Sequence, residues 1–359
     1  MTPDDRACVV LLSARSVRLV QILVALVVLT LLTWYLNQNH AEMVALQSAH
    51  SGFIVIDPPE EVSALAIQDD TVWAGGVDGL YRIDRHSYEV MTQTPEEISF
   101  QYTRAILVDR CERIWVGHDQ GVSCLANGQW QTLTKKDGLP DNRVNTLAED
   151  PLGLIWAGTW SGAVQIAPPG DGAKSHIRRT FTREDGLLSD MVNVILPDSL
   201  GGIWFGSYNS RGGISYQAAD GNWHSWTMAD GLPHEYITAI CQDQMQDVWV
   251  GTGLLSEGGA AVFHHVGGEW SLTRTMSKDD GLAGEKVRSI FQDKARRMWL
   301  GSEYDGVAIV DPDGVTILDR TSGLSDNEVK VMLEDQDGQL WLGTRYGVTV
   351  IPEHHDAFK

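Results

Sequence analysis

Short stretches of alternating apolar and polar residues run along most of the chain, and a recurring apolar-Trp-apolar-Gly pattern lies within them. Alternation with a period of two is typical of β-strands that are buried on one face. The pattern occurs seven times, at Val72–Gly75, Ile114–Gly117, Ile155–Gly158, Ile203–Gly206, Val248–Gly251, Met298–Gly301 and Leu340–Gly343. Its tryptophans lie 41 to 50 residues apart, a spacing that predicts an all-β, seven-bladed β-propeller with one four-stranded blade per repeat.

The third repeat shows how each unit divides into four strands, which we name A to D. Residues 143–149 alternate in polarity and predict strand A, and residues 154–159 predict strand B. Strands C and D are expected at residues 163–167 and 177–182. Turns rich in Asp, Gly and Pro separate the first three strands, as expected for antiparallel neighbours.

The last repeat supplies strands A to C but leaves too few residues for an outer strand. Residues 53–56 form a strand-like segment that has no blade of its own. We therefore predict that they become strand D of the seventh blade, which removes an exposed sheet edge. The propeller is then expected to span residues 52–352, with residues 52–56 closing the last blade and residues 353–359 as a C-terminal tail.

Ahead of the repeats lies a long apolar stretch, Leu19–Leu36, with few polar interruptions. A helix of this length reaches about 27 Å, close to the thickness of a bilayer core. Arginines precede the stretch and no Lys or Arg follows it until Arg82. The positive-inside rule then predicts a cytoplasmic segment at residues 1–18, a single transmembrane helix at residues 19–36 and a tether at residues 37–51.

A cleaved signal peptide is the alternative interpretation of the N-terminus. Signal peptides carry a shorter apolar region followed by a small-x-small cleavage site. The residues after the stretch, Asn37–Ala41, make a poor cleavage site. We therefore expect an uncleaved anchor, with the propeller in the periplasm or outside the cell.

The charge balance excludes one class of partner. The chain has 27 Lys+Arg against 48 Asp+Glu, a formal net charge of −21, whereas nucleic-acid binding needs a basic surface. Four cysteines are present. Cys124 and Cys241 fall where sister repeats carry apolar residues, and Cys111 lies in an expected turn, so we predict no disulfide that the fold requires.

A second motif links each strand D to the next strand A. It reads Asp-Gly-Leu at residues 137–139, 185–187, 230–232 and 280–282, and Ser-Gly-Leu at residues 322–324. The Asp can accept hydrogen bonds from the local backbone, the Gly can take positive φ, and the Leu can fill the seam between blades. We therefore interpret these copies, and the Asp335–Gly338 turn, as structural and predict no metal site and no cofactor.

The combined pattern resembles the two-component regulator propeller repeat. That family shows Gly-Leu-Pro-x-Asn-x-Val, then Asp-x-x-Gly, then Trp-x-Gly-Thr, and the nearest copies here run from Gly138 to Val164 and from Gly323 to Val348. In this family the propeller is usually the extracytoplasmic sensor part of a hybrid histidine kinase, and some members respond to glycan fragments. This chain has its apolar span first, its propeller last and no kinase segment, so the resemblance implies a separate signalling partner.

The variable B–C and D–A loops carry the candidate site. Strand direction places both loop sets on one face, and the tether is expected on the opposite face, so the candidate face would point away from the membrane. Aromatic and polar side chains around a central funnel would suit a glycan or a peptide. The candidate ligand-binding residues are His118, Trp160, Tyr208, Arg211, His234, Tyr304, Arg345 and Tyr346.

Three functions follow, and the sequence favours the first. It is a membrane-anchored, non-enzymatic propeller that binds a glycan or peptide and works with a separate membrane histidine kinase or envelope protein. The second is a protein–protein scaffold or envelope assembly factor. The third is a lyase, because streptogramin lyase is also a seven-bladed propeller that uses His and Glu on one face, and His234-Glu235 is the nearest candidate pair. No motif for a nucleophile or a phosphate loop supports catalysis.

Overall fold

Each repeat folds into four antiparallel strands, and a computed structural model arranges the repeats as blades around one axis. The structure describes residues 22–30, 51–91, 102–170 and 174–353. Within these residues, 28 strands form seven four-stranded sheets. The fold is therefore the seven-bladed propeller that the tryptophan spacing predicts.

The strand bounds follow the repeat closely. The first strand, β1, is Ile54–Ile56. Blade 1 contains β2 (Val62–Gln68), β3 (Thr71–Gly76), β4 (Gly79–Asp84) and β5 (Val90–Met91), and blade 2 contains β6 (Ala105–Val108), β7 (Ile114–His118), β8 (Gly121–Ala126) and β9 (Gln129–Leu133). Blade 3 contains β10 (Val144–Glu149), β11 (Ile155–Thr159), β12 (Gly162–Ala167) and β13 (His176–Phe181), and blade 4 contains β14 (Val192–Pro197), β15 (Ile203–Ser207), β16 (Ile214–Gln217) and β17 (Trp223–Trp226). Blade 5 contains β18 (Ile237–Gln242), β19 (Val248–Leu254), β20 (Glu257–Val266) and β21 (Glu269–Met276), and blade 6 contains β22 (Val287–Gln292), β23 (Met298–Ser302), β24 (Val307–Asp311) and β25 (Gly314–Leu318). Blade 7 contains β26 (Val329–Glu334), β27 (Leu340–Thr344), β28 (Val348–Ile351) and β1.

The ring closes through the two ends of the propeller. Strand β1 pairs antiparallel with β28, with Ile54 opposite Val350, Val55 opposite Thr349 and Ile56 opposite Val348. The innermost strands of neighbouring blades contact one another all round the ring, including β26 with β2. The pairing confirms the closure expected from the sequence, and it leaves the D–A and B–C loops together on one face.

A tryptophan and an aspartate hold the inner hairpin of six blades. The strand-B tryptophan of each of these blades donates from Nε1 to an Asp in the A–B turn at 2.7–3.0 Å. The same Asp accepts backbone N–H groups of its own turn, as Asp335 does from Asp337 and Gln339 at 2.9 Å. Asp335 is therefore a turn residue, in agreement with the structural interpretation of the Asp335–Gly338 segment.

The linking motif is a short capped helix. Four 3₁₀ helices occupy it, at Lys135–Asp137, Met228–Asp230, Lys278–Asp280 and Arg320–Ser322. In the first, the Asp137 carboxylate accepts from the Thr134 backbone N–H at 2.9 Å, and Gly138 follows with φ of 104°. Leu139 is 3% exposed and packs with Trp115 and Ile155 of adjacent blades, so each residue of the motif has the structural role expected for it.

The predicted N-terminal anchor falls mostly outside the described residues. Residues 22–30 are helical, and the rest of the predicted 19–36 span is not among the residues that the structure describes. No helix within the described ranges is long and apolar enough to cross a membrane. In the same ranges, Cys111, Cys124 and Cys241 are free thiols.

Candidate functional site

The residues directly before each strand A surround the propeller axis on the D–A/B–C face. Their side chains vary in charge and size among the blades, whereas the residue that follows each of them is apolar and buried in every blade. In chain order they are Glu61, Arg104, Arg143, Met191, Tyr236, Lys286 and Glu328. We call these residues and the side chains that contact them the axial rim.

One part of the axial rim joins blades 1, 2 and 7 through Glu61. The Glu61 carboxylate accepts from Lys330 Nζ at 2.7 Å and from the Tyr102 hydroxyl at 2.8 Å. Lys330 also lies 3.3 Å from Glu328. Only 5% of the Lys330 side chain is exposed, so this ammonium group is neutralised by two carboxylates before any ligand arrives.

A second part joins blades 4, 5 and 6 through Lys286. Its ammonium group forms an ion pair with Glu303 and donates to the Tyr208 hydroxyl at 3.3 Å. The Tyr208 and Tyr236 rings meet edge to face, with centroids 4.8 Å apart. Two aromatic rings are thus fixed beside a buried ion pair, in a position set by three different blades.

A third part covers blades 2 and 3. Arg104 pairs with Asp119 at 2.8 Å and lies over the Tyr102 ring at 4.3 Å from its centroid. Arg143 lies over the Trp160 ring at 3.9 Å, and the Trp160 indole N–H donates to Asn145 at 3.1 Å. Trp160 remains 37% exposed, so its ring is held in place and is still accessible to a ligand.

Electrostatics favour the ionised form of two rim carboxylates, Glu61 and Glu303. Burial alone would raise the pKa of Glu61, but hydrogen bonds from Lys330 and Tyr102 hold that pKa below its usual value. Burial of Glu303 is likewise outweighed by Lys286, which lowers the pKa of Glu303. The rim therefore presents paired charges and aromatic rings, and it combines donors and acceptors without a large net charge.

The structure places five of the eight candidate residues at or beside the axial rim. Trp160 and Tyr208 belong to it, and the hydroxyl of Tyr304, a side chain that is 56% exposed, donates to the rim residue Glu303 at 3.1 Å. Arg345 and Tyr346 are exposed in the neighbouring B–C turn, where the Arg345 carbonyl accepts from the Glu61 N–H at 2.9 Å.

His118 does not face the rim. It is fully buried, its Nδ1 accepts from the Gln120 N–H at 3.2 Å, and its Nε2 lies 2.9 Å from the Ser123 hydroxyl. Sister repeats carry Thr159, Thr252 or Thr344 at this place. His118 is therefore a hairpin residue, which corrects its assignment to a ligand site.

Burial gives His118 a measurable pH signature. Burial lowers the pKa of His118 to about 4, from an ordinary value of 6.5. The unfolded chain then binds a proton that the folded chain does not, so stability falls as the pH drops from about 6.5 to about 4. We expect acidification across this window to cost the protein roughly 3 kcal/mol more than it costs a His118→Thr variant.

Urea unfolding of both proteins at pH 7, 5.5 and 4 checks this expectation. The quantity compared is how steeply the free energy of unfolding of each protein falls with pH. Contributions of all other titrating groups cancel in this comparison, because the two proteins share those groups. Parallel losses of stability in the two proteins would contradict the burial of His118.

The last two candidates, Arg211 and His234, lie in a B–C loop and a D–A loop of the same face. His234 is 8% exposed, and its Nδ1 accepts from the Tyr236 N–H at 3.1 Å. Glu235 accepts from the Arg211 backbone N–H at 2.8 Å, while the Arg211 side chain is exposed. His234 and Glu235 therefore each accept a backbone N–H group, and the other imidazole nitrogen of His234, Nε2, lies 4.0 Å from the Glu257 carboxylate.

Several rim residues were not among the eight candidates. Glu61, Arg143, Lys286 and Lys330 all form ion pairs in the rim. The available signal for the first three was their register directly before an innermost strand, whereas Lys330 lies inside β26. Among the residues that the structure describes, no group of His, Cys, Asp and Glu is arranged to hold a metal ion.

The fold and the rim define a propeller with a polar and aromatic surface around its axis. Its family is shown by comparison of the sequence with known protein families. Five segments match the family described as Two component regulator propeller, at residues 138–161, 186–209, 231–253, 281–304 and 323–346. The chain therefore carries two-component regulator propeller repeats. No curated protein matches it by sequence.

Solved structures with a similar fold have different roles. The extracellular domain of the putative hybrid two component system BT3049 from B. thetaiotaomicron aligns with a TM-score of 0.72 at 17% identity, over 84% of this chain and 41% of that one. This chain thus spans less than half of that protein chain. Virginiamycin B lyase from Staphylococcus aureus aligns with a TM-score of 0.62 at 11% identity, over 83% of this chain and 97% of the lyase. PorZ, a surface component of the type-IX secretion system of Porphyromonas gingivalis, aligns with a TM-score of 0.62 at 14% identity, over 82% of this chain and 46% of PorZ.

Proposed function

We propose that the chain is a membrane-anchored, extracytoplasmic sensor propeller that binds a glycan or a peptide over the axial rim. The observation that carries the proposal is the rim itself, in which paired charges and aromatic rings link blades 7, 1, 2 and 3 in one group and blades 4, 5 and 6 in another. Its charges are already paired, so a ligand can exchange hydrogen bonds with the rim without stranding a buried charge. Its exposed aromatic ring, Trp160, offers an apolar face for a sugar ring or a side chain.

Signalling in this proposal needs a second protein. The repeats are of the two-component regulator type, and a separate membrane histidine kinase or envelope protein would receive the signal. Residues 19–36 would anchor the chain, with the rim directed away from the bilayer. Cys111 is an exposed free thiol, so the test uses a Cys111→Ser background. An Asp119→Cys variant of that background in bacterial spheroplasts should then react with a membrane-impermeant maleimide, and labelling only after lysis would contradict this topology.

Binding by the full chain in detergent tests the rim directly. On arrays of glycans and short peptides, we expect wild-type protein to retain specific ligands and Trp160→Ala to bind them about tenfold more weakly or worse. Arg110→Ala is the matched control, because Arg110 is half exposed on the opposite face, where it pairs with Glu149 at 2.6 Å. Equal losses in the two variants, or no retained ligand, would contradict the proposal.

A lyase function finds less support in the geometry. A general base needs a free side chain within reach of the substrate, whereas His234 and Glu235 accept backbone N–H groups. We therefore expect the chain to leave virginiamycin B intact on prolonged incubation. A linearised product that disappears in a His234→Ala variant would establish the enzyme instead.

A scaffold function is favoured by one observation on the other face. The A–B turns of blades 3, 4 and 5 each carry a large apolar side chain that is exposed to solvent. Leu152, Leu200 and Met245 are 84%, 46% and 68% exposed. Adjacent apolar tips of this kind suit protein contact, and loss of an envelope partner on changing all three to Ser would favour the scaffold over the sensor.

A further inference from the structure

A second concave site lies at the outer edge of the ring, between blades 4 and 5. It is a cavity of about 290 Å³ near the A–B/C–D face, at the low end of the volumes of known ligand pockets. It shares no residue with the axial rim. Its walls include Tyr216, His224 and Trp226 from blade 4, and His265, Glu269 and Trp270 from blade 5.

An unusually long hairpin builds one wall of this cavity. Strands β20 and β21 have 10 and 8 residues, and their paired ladder runs on to Val266 opposite Glu269. The last pairs of β20 extend beyond the start of β19, where Val248 lies opposite Phe263. The hairpin therefore projects past its own blade and covers the seam beside β17.

On both sides of the seam, an imidazole and an aromatic ring lie directly opposite each other in a pair of strands. On blade 4, Tyr216 lies opposite His224, with ring centroids 6.3 Å apart. On blade 5, His265 lies opposite Trp270, with ring centroids 5.0 Å apart. In each pair the imidazole is more exposed than the aromatic ring. His224 is exposed and His265 is half-buried, whereas Tyr216 and Trp270 are buried.

The wall formed by β17 is flat and rigid. The His224 and Trp226 rings lie within 22° of parallel, with centroids 6.4 Å apart. Trp226 is stacked on the buried Trp204 at 5.5 Å and meets Phe263 at 5.0 Å. Packing on two core rings holds Trp226 in one orientation, so the cavity needs no ordering of this side chain when a ligand enters.

We propose that this cavity binds a neutral saccharide ring. The C–H face of a sugar is apolar and packs on an aromatic face, while its hydroxyl groups need donors and acceptors around the edge. The Trp226 ring supplies the face, and His224, His265 and Glu269 supply the polar edge. The lining contains a carboxylate and neither Lys nor Arg, so an anionic sugar is disfavoured.

Saturation-transfer NMR on the full chain in detergent tests the proposal with a matched pair of probes. Methyl glucoside, methyl galactoside and N-acetylglucosamine are the neutral probes, and methyl glucuronide differs from methyl glucoside only by its carboxylate. We expect transfer to the ring protons of at least one neutral sugar and about tenfold weaker binding of the glucuronide, because Glu269 repels it. Absence of transfer to all three neutral sugars, or equal binding of the glucuronide, would overturn the proposal.

Exposed variants locate the binding without threatening the fold. His224 and Glu269 lie outside the core, so a His224→Ala, Glu269→Gln double variant is expected to fold and to lose transfer. Arg110→Ala, which lies outside both the cavity and the axial rim, is expected to leave transfer unchanged. Transfer that survives the double variant would refute the proposal. Loss of that surviving transfer in Trp160→Ala would assign the sugar to the axial rim, so the two sites are tested separately.

Discussion

Replacing Trp299 by alanine is expected to lower the free energy of unfolding by about 3–5 kcal/mol, the cost of a large cavity in a packed core. Trp299 is fully buried and packs in one cluster with Val307, Val329 and Leu342 of blades 6 and 7. Its indole N–H also donates to Asp293 at 2.9 Å. Loss of this side chain therefore opens the seam between two blades and removes a donor from a buried carboxylate.

Two other variants separate the packing of Trp299 from its hydrogen bond. Trp299→Phe keeps an aromatic ring in the seam and is expected to cost about 1.5–3 kcal/mol, the usual worth of a hydrogen bond to a charged group. Trp160→Ala, at the exposed rim, is expected to cost at most about 1 kcal/mol. Chemical unfolding of the three variants measures these values, and similar losses at positions 299 and 160 would contradict the assignment of core and rim.

Deleting residues 52–56 is expected to destabilise the whole propeller. Phe53 and Ile56 are 3% and 5% exposed, in the cluster between blades 6 and 7 and the cluster between blades 7 and 1 respectively. Burial of two such side chains is worth roughly 3–6 kcal/mol. The deletion also exposes the edge of β28, which can then pair with another chain.

Thermal unfolding and light scattering distinguish this result from a local effect. We expect a lower and broader transition together with concentration-dependent association. Val55→Thr keeps a β-branched residue at a partly exposed strand position and is the control, expected to match wild type in both stability and light scattering. A deletion variant with wild-type stability would show that the last blade does not need β1.

The sequence was sufficient for the fold because each repeat carries the residues that build its own blade. The strand-B tryptophan, the Asp of the A–B turn and the Leu of the linking motif recur at fixed spacing, and each contacts partners within its own or the next blade. Blade 1 shows the limit of the rule, since Trp73 donates to Gln68 at 3.3 Å instead of to an Asp. Even there the strands form, because the tryptophan is buried in the same way.

The site could be predicted only in part because its contacts join distant repeats. Lys330 and Glu61 are 269 residues apart in sequence, yet they lie 2.7 Å apart. Loop membership placed Trp160, Tyr208 and Tyr304 on the candidate face but could not show that Lys286 and Lys330 form ion pairs with Glu303 and Glu61. It also misplaced His118, whose position directly after the Trp-x-Gly pattern is a buried hairpin position where five other blades carry Thr or Ser and blade 1 carries Gly76.

Closure of the ring by β1 is the claim on which the axial rim depends, because it sets the number of blades and the face that each loop occupies. Oxidative cross-linking of the double variants Ile54→Cys/Val350→Cys and Val55→Cys/Thr349→Cys tests it most directly, with the bonds located by peptide mass spectrometry. Directly opposite residues of an antiparallel pair lie close enough for a disulfide, and we expect one in at least one of these variants. Val55→Cys/Val350→Cys, one residue out of register and on opposite faces of the sheet, is expected to form none. A bond only in the offset variant, or none in any of the three, would contradict the closed seven-bladed ring.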